Sequence, residues 1–274
     1  MPAIVVSEKD PAGMNIREQL IKEFEFKSNG KIFAGKEVLQ YKNFEIVLTP
    51  ERQVFADSVN SYETDLFIFA STHASKTGKP CLTVHPIGNW GVAELGGKDK
   101  TIVKTSAKLL RNYLFGLKFY VEENKLSYDV CLEATHHGPY LEKPTIFIEL
   151  GSSEKQWADK NAANAIAKTI VNFYNPSTNT EPPIVCIALS GNHYCPEFTK
   201  LVLRKNYAVS HICPEYALQN FDDESLKQMI EKTVEKVDCI LIDEKGLGKE
   251  NLRIKEILQK SGMRIEKVRK LLKK

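Results

Sequence analysis

Short apolar runs recur along the chain, separated by segments in which apolar and polar residues alternate. Residues 3–6, 66–70 and 184–189 are almost entirely apolar, which is typical of strands buried on both faces of a sheet. Residues 11–24, opened by Asp10-Pro11, and residues 101–120 have the spacing of amphipathic helices, and a further helix is predicted from Glu154 to Tyr174. Strand and helix patterns alternate over most of the sequence. This predicts an α/β fold, a single-domain three-layer sandwich with a mixed, mostly parallel sheet.

Two segments depart from this regular alternation. Residues 71–97 are rich in glycine around one apolar stretch at 81–84, which predicts a functional loop. The last residues predict helices at 250–259 and 266–272. The simplest division is an α/β catalytic domain over 1–248, with a basic helical tail over 249–274 that packs on it or extends from it.

Charge is unevenly distributed along the 274 residues. The net charge of the whole chain is +3, but the tail has ten lysines and arginines against three glutamates, so the remainder carries −4. Such a tail indicates contact with a polyanion such as RNA, although a solvated lysine-rich helix face would have the same composition. The residues predicted to bind nucleic acid are Lys249, Arg253, Arg264, Lys267, Arg269 and Lys270.

All six histidines lie in short polar segments that directly follow apolar runs. They are His73, His85, His136, His137, His193 and His211. At the carboxyl ends of strands in an α/β sheet, these segments would share one crevice, which is where such folds bind ligands. Imidazole is the commonest metal ligand and the usual proton carrier near neutral pH. The pattern therefore predicts a metal-assisted active site.

The strongest candidates within this set are a few histidines and one glutamate. We expect His73, His136, His137 and His193 to hold or orient the metal, with Glu133 as ligand or general base. His137, His193 and Glu133 are the catalytic candidates. His85 and His211 rank lowest, as hydrogen-bonded loop residues.

Other polar residues near the same strand ends are candidates for substrate binding. Ser71 and Thr72 begin a polar loop that suits a phosphate or a terminal nucleotide, and equally an ordinary turn. Asn192 precedes His193. Glu149 is a second carboxylate at a strand end, and capping the next helix would explain it as well.

The chain lacks the signatures of several other classes. Its six cysteines have no C-x-x-C spacing, so a disulfide framework is not expected, and a cysteine nucleophile ranks below metal hydrolysis. The apolar runs are too short to span a bilayer, and no signal peptide is visible at the N-terminus. We therefore expect a cytoplasmic protein, and a monomer.

Taken together, these segments resemble the archaeal and plant type of D-aminoacyl-tRNA deacylases. The resemblance runs over nearly the whole chain. It rests on Ser-Thr-His at 71–73, Leu-Thr-Val-His-Pro-Ile-Gly-Asn-Trp-Gly at 82–91, Glu-Ala-Thr-His-His-Gly-Pro at 133–139, Glu-Leu-Gly-Ser-Ser at 149–153 and Gly-Asn-His-Tyr at 191–194.

The resemblance implies hydrolysis of the ester that joins a D-amino acid to the 3′-terminal adenosine of tRNA. It also implies zinc as the cofactor, tRNA as the partner and a phosphorylase/hydrolase-like architecture, similar to that of peptidyl-tRNA hydrolases and zinc exopeptidases. Two alternatives remain open at this point. One is a zinc exopeptidase or amidohydrolase acting on small peptides, and the other is a metal-free esterase similar to peptidyl-tRNA hydrolases.

Overall fold

The computed structural model describes residues 1–175 and 181–273, which form twelve strands and eight α-helices. The strands are β1 Pro2–Ser7, β2 Lys27–Phe33, β3 Lys36–Tyr41, β4 Phe44–Thr49, β5 Leu66–Ala74, β6 Cys81–His85, β7 Asp129–Leu132, β8 Thr145–Ser152, β9 Ile184–Leu189, β10 Tyr207–Cys213, β11 Cys239–Ile242 and β12 Arg264–Lys267. The helices are α1 Pro11–Phe24, α2 Ala107–Glu123, α3 Glu154–Trp157, α4 Lys160–Asn172, α5 Pro196–Arg204, α6 Asp223–Glu231, α7 Asn251–Lys260 and α8 Val268–Leu271.

The strands form two sheets. The larger sheet has the order β2-β3-β4-β1-β5-β8-β6-β7, and the smaller has the order β10-β9-β11-β12. Every pairing in the smaller sheet is parallel, whereas the larger sheet has antiparallel pairs at β2-β3, β3-β4 and β6-β8. The predicted α/β fold with a mixed, mostly parallel sheet is confirmed, and β5 is central as its unbroken apolar run indicated.

The two faces of the larger sheet differ in what they bury. On one face, Ile68, Leu82 and Ile148 pack into an apolar core with α1, α2 and α4. On the other face, the rings of Phe69 and Phe147 stack with centroids 4.5 Å apart, and polar residues continue from there along the same strands. Because side chains alternate along a strand, one sheet can support a dry core and a polar site back to back.

Two predicted elements take a different form. The apolar stretch at 81–84, predicted to lie in a functional loop, is the buried strand β6 between β8 and β7. The helix predicted from Glu154 onward is interrupted after Trp157, where the side chain of Asp159 accepts backbone hydrogen bonds and begins α4.

The tail is also not wholly helical. Residues 264–267 form β12, which pairs in parallel with β11 at the edge of the smaller sheet, so the helix predicted for 266–272 is wrong in its first part. The alternating charges there read as a helix locally, but pairing with a distant strand decides the backbone. Ile254, Leu258 and Val268 are fully buried, so this segment packs firmly on the rest of the protein. The division at residue 248 stays a prediction.

Candidate active site

The polar cluster lies on one face of the larger sheet, in register across neighbouring strands. Ser71 pairs with Glu149 and Glu149 with Thr83, so the side chains of these residues point to the same side. His73 and His85 lie two residues farther along their strands, on that same side. The expectation of a crevice at shared carboxyl ends is therefore wrong in detail. Since β6 runs antiparallel to β8, its His85 end lies level with Phe147 on the sheet face.

Two buried glutamates surround His73. The Nδ1 atom of His73 is 3.1 Å from Glu133 Oε1 and 3.4 Å from Glu149 Oε2. Ser71 Oγ donates a hydrogen bond of 2.7 Å to Glu149 Oε1. His73 lies over Gly151 of the neighbouring strand, where a Cβ atom would be only 2.6 Å from its ring. Glycine at that position is therefore required for the arrangement.

The charges in this part of the cluster are interdependent. Burial alone would lower the pKa of His73, but contacts with Cys81, Glu149 and Glu133 outweigh it and raise the pKa to about 12. Burial raises the pKa of Glu133 to about 7, although His73 and His85 act against this shift. Burial acts the same way on Glu149, yet His85 and His73 hold its pKa well below the usual range. The site thus favours positive charge between the two carboxylates.

Three histidines form a second group beside the carboxylates. Their ring centroids lie 4.3 Å apart for His85 and His136, 4.3 Å for His136 and His137, and 5.0 Å for His85 and His137. Each Nδ1 atom lies 2.6–3.1 Å from a backbone carbonyl, which can only accept, so each Nδ1 carries a proton and donates it. This leaves Nε2 of each ring as the nitrogen available to a metal, which binds imidazole in its neutral form.

The free nitrogens of this group make no hydrogen bond to the described residues, although His85 Nε2 lies 3.5 Å from Glu149 Oε1. Among the residues that the structure describes, His85 Nε2 is buried without a hydrogen bond, and so are both carboxylate oxygens of Glu133. Burial and the proximity of His85 lower the pKa of His137 to about 4 and that of His136 well below its usual range. Both rings are therefore neutral near pH 7. Buried polar atoms without partners are costly, which indicates that a further group belongs here.

These side chains fall into three sets whose ligand atoms lie within 4.8 Å of one another. The sets are His85, His136 and His137; Glu133, His136 and His193; and His73, Glu133 and Glu149. The structure therefore brings together all the predicted ligands and adds His85, which sequence reasoning had ranked low. Its position at the end of the apolar run 81–84 was the signal that could have found it. His211 lies apart, bonded to Thr135 Oγ1 and to the carbonyl of Lys232.

His193 reaches the cluster from the smaller sheet. The chain turns sharply after β9, with positive φ at Ser190 and Gly191, and presents the half-buried imidazole to the site. Its Nε2 is 3.8 Å from Glu133 Oε1, and its Nδ1 is 3.2 Å from the hydroxyl of Tyr216. Loops of both sheets therefore build one site.

The other predicted substrate-binding residues make contacts within the protein. Thr72 donates from its backbone N–H and its hydroxyl to Asp10. Asn192 accepts a 3.0 Å bond from the backbone N–H of Tyr194 and is exposed. A cavity of about 570 Å³ opens over the cluster, and its lining includes Thr72 and Glu149 but not Asn192.

Most of the predicted nucleic-acid-binding residues of the tail bind the protein itself. Arg253 donates to Glu250 and to the carbonyls of Leu218 and Phe221. The remaining pairs are Arg264 with Glu266, Lys267 with Glu244, and Arg269 with Asp243. Within residues 1–175 and 181–273, Lys249 and Lys270 have no salt-bridge partner, and both are exposed.

Comparison with known proteins agrees with this architecture. A deacylase of Thermococcus kodakarensis is 37% identical over 90% of this chain and 92% of its own, and one of Pyrococcus furiosus is 35% identical over 96% and 98%. Both are described as D-aminoacyl-tRNA deacylases. A crystal structure of a conserved protein of unknown function is 29% identical with a TM-score of 0.89, covering 100% of this chain and 97% of that one. Residues 60–266 match the family model of D-aminoacyl-tRNA deacylases, and the chain belongs to that family.

Proposed function

We propose that this protein hydrolyses the ester bond of D-aminoacyl-tRNA and releases the free D-amino acid and tRNA, using water activated at a zinc ion. Membership of the deacylase family supports the substrate. The observation that carries the chemistry is a pair of buried groups without hydrogen bonds to the described residues, His85 Nε2 and the Glu133 carboxylate, which lie 3.9 Å apart. An imidazole nitrogen without a hydrogen bond is suited to binding a metal, and a carboxylate with a raised pKa is suited to act as a general base.

The three-histidine set fits zinc best. His85, His136 and His137 offer three Nε2 atoms, and each ring is oriented by a carbonyl bonded to Nδ1, as in catalytic zinc sites with three protein ligands. The two carboxylates raise the pKa of His85 despite its burial, so they favour a positive charge beside its Nε2. Zinc in such a site lowers the pKa of a bound water and polarises an ester carbonyl.

The remaining residues would handle protons and orientation. Glu133 accepts the proton of the attacking water on a carboxylate oxygen; Oε1 lies 3.1 Å from His73 Nδ1, and Oε2 makes no hydrogen bond to the described residues. Through the 3.8 Å approach of His193, that proton can pass to the 3′-oxygen of the departing nucleoside when the ester C–O bond breaks. His73 lies between Glu133 and Glu149 and holds both carboxylates in place.

A metal-free esterase is the alternative with specific structural support. His73 and Glu133 are close enough to exchange a proton, so an acid/base pair exists without the three-histidine set. A metal-free mechanism gives no role to the three converging imidazoles of His85, His136 and His137. We therefore rank the metal-free esterase second. A peptidase acting on small peptides ranks below it, because the chain belongs to the family of D-aminoacyl-tRNA deacylases.

The experiment is hydrolysis of D-tyrosyl-tRNA and L-tyrosyl-tRNA by the purified protein, first as isolated, then after metal removal and after zinc is restored. We expect the D ester to be cleaved, the activity to vanish on stripping and to return with zinc. Chelator-resistant cleavage of the D ester would replace the zinc mechanism by the metal-free one. If neither ester is cleaved, the proposed substrate is wrong.

No helix among the described residues is long and apolar enough to span a membrane. The monomeric state and the cytoplasmic location stay predictions.

A further inference from the structure

Two cations without partners lie at the rim of the active-site cavity. Lys9 precedes α1 and Arg52 follows β4, and both line the same cavity as His73 and His137. Both are exposed, and neither Lys9 Nζ nor the Arg52 guanidinium has a hydrogen bond or salt bridge to the residues that the structure describes. Neither was singled out by sequence reasoning, since each is an isolated cation in a polar turn.

The carboxylates next to these cations in the sequence make contacts with other residues. Glu8 pairs with Lys36 at 2.8 Å, and Glu51 accepts a 2.7 Å bond from Ser58. Asp10 is buried and faces inward, where it accepts bonds from the backbone N–H groups of Gly13 and Thr72. Neither Lys9 nor Arg52 forms an ion pair with a carboxylate of the described residues, so both can offer their charge to an anion at the mouth of the cavity.

Aromatic side chains lie beside the cations. The guanidinium of Arg52 lies 5.7 Å from the ring centroid of Phe55, which is 44% exposed, and Trp157 forms part of the cavity wall. Cations that follow a phosphate backbone next to aromatic rings that stack with bases are the usual means of binding single-stranded nucleic acid. A free phosphate ion would make no use of the rings.

From this arrangement we infer that Lys9 and Arg52 bind the phosphodiester that precedes the terminal, aminoacylated nucleoside of tRNA. The inference deepens the proposed function and rests on it. The two cations flank the cavity that holds the reacting ester, so a phosphate held there anchors the unpaired 3′ end while the ester reaches Glu133. The tail lacks this geometry, because four of its six candidate cations are bound to the protein itself.

The test uses two substrates that differ in the phosphate. D-tyrosyl-tRNA carries the phosphodiester, whereas D-tyrosyl-adenosine carries the same ester without it. For the zinc-loaded double variant Lys9→Ala/Arg52→Ala we expect KM for D-tyrosyl-tRNA to rise roughly tenfold. KM for D-tyrosyl-adenosine, which lacks the phosphate, should stay unchanged. Binding of fluorescently labelled uncharged tRNA should weaken in parallel, and its salt slope should fall by about 0.7 for each lost phosphate contact.

The matched control removes two cations from the opposite ends of the same elements. Lys22 lies in the last turn of α1 and Lys42 just before β4, and both are exposed. Lys22→Ala/Lys42→Ala should keep the KM and salt slope of the wild type. The inference is overturned if this control loses as much as the rim variant, or if the rim variant loses equally on both substrates.

Two further outcomes distinguish this inference from the proposed reaction and from a simple anion site. If the wild type cleaves neither ester yet the rim variant still loses tRNA affinity, the proposed reaction fails and the binding site stands. If millimolar inorganic phosphate displaces labelled tRNA as well as a CCA trinucleotide does, the rim is a simple anion site and the inference is wrong.

Discussion

The polar face of the larger sheet and the tail on the smaller sheet are both rich in ionisable groups. The two regions differ in whether these groups have hydrogen-bond partners within the protein. On the sheet face, Glu133 and His85 are fully buried, yet key atoms of both lack partners within the described residues. On the tail, Arg253 and Arg269 are partly exposed, yet each makes several bonds to the protein. In the first region, desolvation is offset only by contacts among the clustered histidines and carboxylates, whereas the arginines of the second region are bound to other parts of the protein.

The difference teaches where function is to be sought. Exposed ion pairs contribute little and are common on any surface, so the +7 charge of the tail is weak evidence for a binding surface. A buried group without a partner costs free energy in the folded protein, so its presence requires an explanation such as catalysis or a metal. The comparison ranks the sheet face above the tail as the functional region.

The largest effect should come from the histidine set. We expect His136→Gln to lose zinc and essentially all deacylase activity, because His136 belongs to two of the three ligand sets. The matched control is His211→Gln, since His211 is even more deeply buried than His136 but is bonded to Thr135 and Lys232. Zinc content by mass spectrometry and D-tyrosyl-tRNA cleavage are the measurements, and a zinc-replete, active His136→Gln protein would contradict the assignment.

A somewhat smaller effect is expected for the general base. Glu133→Gln should lower kcat by about 10²–10⁴-fold with little change in KM, the usual worth of a positioned proton acceptor. The control is Glu45→Gln, because Glu45 is equally buried in the same sheet but is bound by Asn29, Lys31 and Tyr62. That variant should lose stability and keep kcat. Equal kcat in the two variants would remove Glu133 from the mechanism.

The tail should matter for stability. Ile254 of α7 is fully buried, so Ile254→Ala should lower the free energy of unfolding by about 2–5 kcal/mol. Leu252 on the same helix is 77% exposed, and Leu252→Ala should change it by less than about 0.5 kcal/mol. Denaturant unfolding provides the measurement. For the same reason, truncation after residue 248 would unfold the smaller sheet and could not report on tRNA binding.

The smallest effect is expected for Lys249 and Lys270, the two predicted nucleic-acid-binding residues of the tail that have no salt-bridge partner among the described residues. Lys249→Ala/Lys270→Ala should change KM for D-tyrosyl-tRNA by no more than about twofold, since exposed charges away from the site contribute only through the long-range field. Salt-dependent tRNA binding by fluorescence anisotropy is the measurement. If this variant lost more tRNA affinity than the Lys9 and Arg52 variant, the comparison would be reversed. The tail would then be the main tRNA-binding surface, as its charge first indicated.

Much of the fold could be predicted, because its signals are local. The unbroken apolar run at 66–70 indicated a central strand, and the capped pattern at 11–24 matched α1 residue for residue. Residues 264–267 could not be placed, since their charged sequence becomes a strand only by pairing with β11. The apolar stretch at 81–84 has the same explanation, because only the larger sheet makes it a strand.

By itself, the sequence determined which residue types are available and that polar segments follow buried strands, since alternation and capping act over a few neighbouring positions. It identified Glu133, His136 and His193 as candidates, and the fold brings their ligand atoms within 4.8 Å of one another. Only the tertiary structure decided that β6 runs against β8, which moves His85 into the cluster and the site onto the sheet face. Only the tertiary structure decided, too, which cations are bound to the protein and which, like Lys9 and Arg52, stay free. Strand direction and ion pairing both depend on residues far apart in sequence, and no local pattern encodes them.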